Sequence, residues 1–300
     1  MSENTLFLFY DFLQYLVNGL SQGSIYALIA LGYTMVYGIL KLINFAHGEF
    51  YMIGSFTGYY LIRSGMPIYF ALPLAMVIPG LVAVGVELIA YRPIRHAGKI
   101  PALITALGVS FFFQFFGQGI IGADPKPYPS VFPNKTFDFG GVVSVTATQL
   151  IIMGSTIFLM FFLWWFVKFT KIGKAMRALS YSKDASELMG IDTNKIISFT
   201  FFLGASLAGF AGVMVGAYYN SVEPMMGLIP GIKAFIAAVL GGIGIIPGAF
   251  LGGLLLGVIE NLVVGFWIST YRDVVAFAIL ILILLIKPTG LLGKKSKEKV

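Results

Sequence analysis

Ionisable side chains set inside long apolar stretches are the residues of this chain best placed to do chemistry. Glu260 lies near the middle of the stretch Pro247–Trp267, beside Asn261, and no basic residue neighbours it in the chain. A carboxylate in such a place must meet a polar partner or water, or stay protonated. It fits either a translocation path or gate, or a hydrogen bond between helices. His47 and Glu49 interrupt another apolar run, and ionisable groups there default to a functional hypothesis. The opposing reading is anchoring. Lys41 lies just before them, and at about 1.5 Å per residue Glu49 is only about 12 Å deep. Asn44 is placed to cap the helix, leaving His47 and Glu49 near its positive end. Gln114 and Gln118 are four residues apart, as are Asn18 and Gln22, so each pair shares a helix face. Either pair can line a path or join helices.

Absences narrow the chemistry further. No GxxxxGK[ST] occurs, which excludes nucleotide binding through a P-loop. The two histidines, His47 and His96, are far apart and no HExxH or GxSxG is present. With no cysteine there is no disulfide, thiolate metal site or thiol catalysis. The expectation is a protein that is not an enzyme, with no cofactor and no metal.

The elements that carry these residues are membrane spans. Hydrophobic residues make up 58% of the chain and charged residues 11%, against about 25% charged in soluble domains. The apolar segments run Phe7–Tyr37, Leu42–Ile62, Ile68–Tyr91, Ile100–Ile121, Leu150–Val167, Ile196–Tyr218, Ile232–Trp267 and Val274–Ile286. Most match the roughly 20 residues that span a bilayer as helix. Two are too long for one straight span. Phe7–Tyr37 is expected to begin at the interface, or to be a hairpin. Ile232–Trp267 is broken by Gly241-Gly242-Ile243-Gly244-Ile245-Ile246-Pro247-Gly248, which should split it into a half-helix and a full helix. The fold expected is all-α, a polytopic transmembrane bundle of about 8–9 segments with one broken or re-entrant helix. Residues 1–300 form a single domain, without an internal repeat. The first run has no basic stretch before it and no clear cleavage site after it, so it reads as mature protein.

Small residues recur at helical spacing. Gly204, Ala208 and Gly212 form one ridge, and Ala249, Gly253 and Gly257 another. Such ridges let helix backbones approach closely; lining a narrow pore is the alternative.

Charge orients the bundle. Basic residues gather at Arg92, Arg95 and Lys99, at Lys168, Lys171, Lys174, Arg177, Lys183 and Lys195, and at Lys287, Lys294, Lys295, Lys297 and Lys299. These clusters mark the cytoplasmic side, so the net charge of +7 points to the lipid bilayer and not to nucleic acid. The loop Ala123–Thr148, where Asp124 and Asp138 balance Lys126 and Lys135, then faces out with the N-terminus.

The longest polar stretch, 168–195, contains two short helical segments, Gly173–Leu179 and Lys183–Met189, with Gly190 at a helix C′ position. A short polar helix pair has no core of its own to join. It packs on another protein or is a solvated loop.

Here a resemblance enters. Asp184-Ala185-Ser186-x-x-x-Gly190 resembles the EAAxxxG loop of ABC-importer permeases, with Asp for Glu, Ser for the second Ala, and no trailing I-x-L-P. Gly32-Tyr33-Thr34-Met35-Val36-Tyr37-Gly38-Ile39-Leu40-Lys41-Leu42-Ile43-Asn44-Phe45-Ala46-His47-Gly48-Glu49-Phe50 closely resembles the signature of branched-chain amino acid permeases of the LivH type. Ala237-Ala238-Val239-Leu240-Gly241-Gly242-Ile243-Gly244 through Pro247-Gly248-Ala249 is similar to the same family, as is Leu188-Met189-Gly190-Ile191. The resemblance implies a multi-pass permease of the bacterial inner membrane that carries branched-chain amino acids. It implies a second homologous permease, two cytoplasmic ATP-binding subunits and an extracytoplasmic substrate-binding protein. Coupling to the ATPase would fall to Arg177, Asp184, Ala185, Ser186 and Gly190. Related permeases take urea or short amides. A shortage of buried charge would suit a permease whose specificity resides mostly in its binding protein. The competing class is an ion-coupled secondary transporter, which needs coupling-ion sites near the midplane; Glu260 is the residue that fits it.

Overall fold

The computed structural model describes residues 3–42, 44–95 and 97–293. Ile43, His96 and the tail residues Lys294, Lys295, Lys297 and Lys299 lie outside the described residues.

Helix α1 runs unbroken over Glu3–Leu40, 38 residues, about 57 Å at 1.5 Å per residue. It is one continuous helix and not a hairpin, which corrects that alternative of the sequence expectation; its length exceeds the hydrocarbon core of about 30 Å. After a turn come α2 (His47–Arg63) and α3 (Ile68–Val86). A π-helical turn, Glu87–Tyr91, and the short α4 (Arg92–Ile94) continue α3. Then follow α5 (Lys99–Ile121) and α6 (Ala147–Phe169). The polar helices are α7 (Lys171–Tyr181) and α8 (Lys183–Leu188). The last spans are α9 (Thr193–Tyr219), α10 (Leu228–Gly241), α11 (Ile246–Phe266) and α12 (Tyr271–Ile286). Among the described residues, six helical stretches are long and apolar enough to cross a membrane. Helices α2, α10 and α12 are shorter, at 17, 14 and 16 residues. The glycine–proline cluster does break the long run, and α10 is the half-helix. Gly242 and Gly244 take φ of +111° and +90° in that turn, a conformation open to residues without a Cβ.

Local chemistry sets the helix ends. Thr146 and Gln149 form a reciprocal capping box on α6. Thr170, Ser182 and Asp192 cap α7, α8 and α9 through their side chains. The Lys195 backbone N–H holds the Asp192 carboxyl below its usual range. Asn220, at φ +53°, ends α9.

Two ends of the bundle can be told apart. At one, β1 (Lys126–Pro127) pairs antiparallel with β4 (Ser221–Val222). There also β2 (Thr136–Phe139) pairs with β3 (Val143–Thr146), and Gln14 of α1 bonds the Ser144 backbone. At the other, Arg95 donates to Asn194 at 2.9 Å, and Leu291 and Leu292 donate to the carbonyls of Leu240 and Gly241. The described basic clusters collect at this second end, opposite the loop Ala123–Thr148.

Burial follows membrane logic. Helices α5 and α6 expose Phe112, Phe115, Phe158 and Phe161 to the surroundings. Helix α1 is instead wrapped by others and buries Ile25 through Leu31. Close approach there depends on glycine. A Cβ at Gly253 would collide with the Ala27 backbone, and one at Gly257 with the Gly23 backbone. On α9, a Cβ at Gly212 would collide with the Tyr51 carbonyl of α2, and Gly204 faces Gly32 of α1. Ala208 is fully buried on the same helix.

Candidate functional site

The half-helix α10 carries Lys233 into the bundle, where 4% of it is exposed. Its Nζ stands 3.1 Å from Glu260 Oε1 and 3.2 Å from Oε2. Helix α11 brings the fully buried Glu260, and α1 brings Tyr26, whose hydroxyl donates to Glu260 Oε2 at 2.8 Å. Helix α12 adds Asp273, with Oδ1 2.7 Å from Lys233 Nζ. The partner that Glu260 lacks in sequence is therefore supplied in space. Lys233 also stacks over the Tyr26 ring at 5.7 Å. Asn261 is not part of this cluster; its amide donates to the Gly257 carbonyl of its own helix at 2.9 Å.

A cavity of about 700 Å³ opens beside this cluster. Lys233, Arg272, Glu223 and Asp273 line it, together with Tyr26 and Tyr219. It lies at the end of the bundle that carries β4 and the start of α12. Gln22 also lines it and accepts from the Tyr219 hydroxyl at 2.6 Å. Asn18, its neighbour one turn away, turns to Gln149 of α6 at 3.2 Å.

A second polar cluster is closed off. Glu49, 1% exposed, accepts from Ser110 at 2.9 Å and Gln114 at 2.8 Å through Oε1. Two sequence candidates, Glu49 and Gln114, thus meet across α2 and α5, while Gln118 takes no part. Asn44 does not cap α2. Its Oδ1 accepts from the Ala46 N–H and the Tyr91 hydroxyl, fixing the turn before the helix, and α2 begins after Ala46 without a side-chain cap. His47, 1% exposed, packs 4.5 Å from the Tyr33 ring against Gly32.

A third cluster sits at the basic end. Glu87 is fully buried and pairs with Arg92 at 3.1 Å and with Arg95. Ser198 of α9 donates to it at 2.6 Å. Thr193 in turn donates to Glu187 of α8 at 2.7 Å. This chain of contacts ties α8 to the membrane helices. Burial pulls the Arg95 guanidinium below its ordinary range, and Glu87 opposes that.

Helix α8 ends in a Schellman motif: Ile191 N–H donates to the Ser186 carbonyl and Gly190 N–H to that of Glu187. Gly190 has φ +79°. Asp184, Ala185 and Arg177 are exposed, and Arg177 reaches back to the Lys168 carbonyl at 3.1 Å. Ser186 is buried, 3% exposed, and donates to Ser182. Tyr181, Leu188 and Met189 are 91%, 88% and 82% exposed, an apolar tip at the basic end.

Comparison with known proteins fits this geometry. The family model described as branched-chain amino acid transport system / permease component matches residues 15–284. The chain belongs to this family. The permease is 42% identical to the high-affinity branched-chain amino acid transport system permease protein LivH of Salmonella typhimurium, over 100% of both chains. It is 44% identical to the permease protein BraD of Pseudomonas aeruginosa, over 97% of this chain and 99% of that one. With the probable branched-chain amino acid permease LivH of Methanocaldococcus jannaschii the identity is 28%, over 90% and 89%. No solved structure matches.

Sequence reasoning missed Lys233, Asp273, Tyr26 and Ser110 in the permease. The test that singled out Glu260, a charge inside an apolar run, applies equally to Lys233 in Ile232–Trp267. The expected shortage of buried charge is also corrected: Lys233, Glu260, Glu49 and Glu87 are all buried.

Proposed function

We propose that this chain is the membrane-spanning subunit of an ATP-driven importer in the cytoplasmic membrane, carrying branched-chain amino acids inward. The full-length likeness to high-affinity branched-chain amino acid permeases is the observation that carries this reading. A second homologous permease, two cytoplasmic ATP-binding subunits and an extracytoplasmic binding protein complete the machine. The sequence carries no P-loop motif, so in this reading force arrives from the ATP-binding subunits. The exposed tip of α7 and α8 is suited to receive that force: Tyr181, Leu188 and Met189 offer apolar surface, and Arg177, Asp184 and Ala185 surround it. The contacts from Glu187 through Thr193 to Ser198 and Glu87 offer a route into α9 and α3.

The test is reconstitution of the complete importer in proteoliposomes. Leucine uptake should require the binding protein and ATP inside with the ATPase subunits. Uptake driven by an ion gradient without ATP would make the chain part of a secondary transporter. Uptake of urea or a short amide in place of leucine would overturn the substrate.

A further inference from the structure

We propose that the cavity beside Lys233 is a passage site for a zwitterionic amino acid, in which the substrate carboxylate displaces Asp273 from Lys233 and the released Asp273 takes the substrate ammonium. This rests on the importer reading and adds to it a site inside the permease.

The two counter-ions of Lys233 are unequal. The Glu260 side chain is fully buried and is also held by the Tyr26 hydroxyl. The Asp273 side chain is 55% exposed and meets Lys233 in the first turn of α12, next to the link from α11. Glu260 is thus a fixed counter-ion that positions Lys233, and Asp273 is an exchangeable one. The fold gains little from a pair with so exposed a partner, because solvent-exposed ion pairs contribute little net stability.

The exchange conserves pairing. Before it, Lys233 faces Asp273. After it, Lys233 faces a carboxylate and Asp273 an ammonium, so no charge is stripped of its partner. Such an exchange is weakly driven, which suits a site that must release what it takes. A neutral solute would break the Lys233–Asp273 pair and replace neither half. Arg272 and Glu223 repeat both signs along the same wall, and the Arg272 Nε is buried without a partner among the described residues. Ile25, Met225 and Ile229 supply apolar wall for a hydrocarbon side chain. The volume of about 700 Å³ lies within the range of small-molecule pockets, roughly 300–1,000 Å³.

The test uses the complete importer in vesicles, without binding protein. The chain is free of cysteine, so Thr270→Cys places a single thiol of this subunit on the cavity wall. L-Leucine should slow its reaction with an impermeant thiol reagent. Leucinamide, which lacks the carboxylate, and 4-methylpentanoate, which lacks the ammonium, should not do so at the same concentration. Asp273→Asn should raise the leucine concentration needed for half-protection by roughly tenfold or more. Lys233→Met alone leaves Glu260 bare and risks misfolding. Lys233→Met with Glu260→Gln keeps the charge balance, and after size-exclusion chromatography confirms assembly it should abolish protection. Equal protection by 4-methylpentanoate and leucine, or leucine protection that survives the double variant, overturns the proposal. Leucine uptake by the parent importer, measured separately with binding protein, tests the importer reading. Uptake without protection sinks the passage site alone; no uptake sinks both.

Discussion

The Tyr26 hydroxyl donates to Glu260 Oε2 at 2.8 Å across 234 positions of chain, joining α1 to α11 where Lys233 enters from α10. Removing that hydroxyl with Tyr26→Phe should cost about 1.5–3 kcal/mol, the range for a hydrogen bond to a charged group. Thermal unfolding in detergent measures it. Glu260→Gln keeps the shape and removes the charge. Transport should fall while the complex still assembles, and normal transport would reduce Glu260 to a packing residue.

Glu49 is expected to anchor. It is shut away between α2 and α5 and does not line the outer cavity. Gln114→Leu removes one of its two donors, at a cost of about 1–3 kcal/mol. The unfolding temperature should drop while uptake per assembled complex holds. If uptake per complex collapses at unchanged stability, Glu49 belongs to a gate.

Gly190 closes α8 with φ +79°, and a Cβ added there would meet nothing within 4 Å, so a substitution acts through the backbone alone. Gly190→Val should displace the Schellman end at a cost of roughly 1 kcal/mol or more. The variant should insert normally but lose substrate-stimulated ATP hydrolysis. Because Ser186 is buried and Leu188 is 88% exposed, the crosslink to report docking is Leu188→Cys with a cysteine in the ATPase groove. It should form in the parent and weaken in the variant. Coupled transport that survives deletion of Asp184–Gly190 would remove this segment from the coupling path.

Orientation is checked by labelling. Ser130 and Ala185 are both exposed, at opposite ends of the bundle. Single cysteines there should react with an impermeant reagent from opposite sides of the membrane. Reaction of both from outside would invert or undo the topology.

Much of the fold was legible because bilayer physics writes strongly on sequence. Span length and loop charge located the helices, and Gly241–Gly248 announced the broken run. The polar helices α7 and α8 were legible from Gly190 and the composition of 168–195. What escaped was mostly non-local. Tyr26, Lys233, Glu260 and Asp273 come from four different helices, and no spacing rule pairs them. Glu49 with Gln114 is similar: each was visible as a polar residue in an apolar run, but their meeting depends on how α2 packs against α5. Lys233 was overlooked for another reason. It sits near one edge of its run, where a lysine passes for an interfacial residue.

The π turn at Glu87–Tyr91 has an angular consequence. Arg92 follows Glu87 by five positions, a spacing that a regular helix of about 3.6 residues per turn sends to another face, and Arg95 follows by eight, about 80° round from it. One extra residue in the turn makes them behave as four and seven, the offsets that share a face. The inserted residue works as a phase shifter: it leaves the apolar face of α3 in step with α9 and rotates both guanidinium groups back onto one carboxylate. Removing one residue from this turn, such as the outward-facing Ile89, would hardly shorten the helix. With that residue gone the arginines would stand four and seven positions after Glu87 in a regular helix, still on its face, so both ion pairs should survive the deletion.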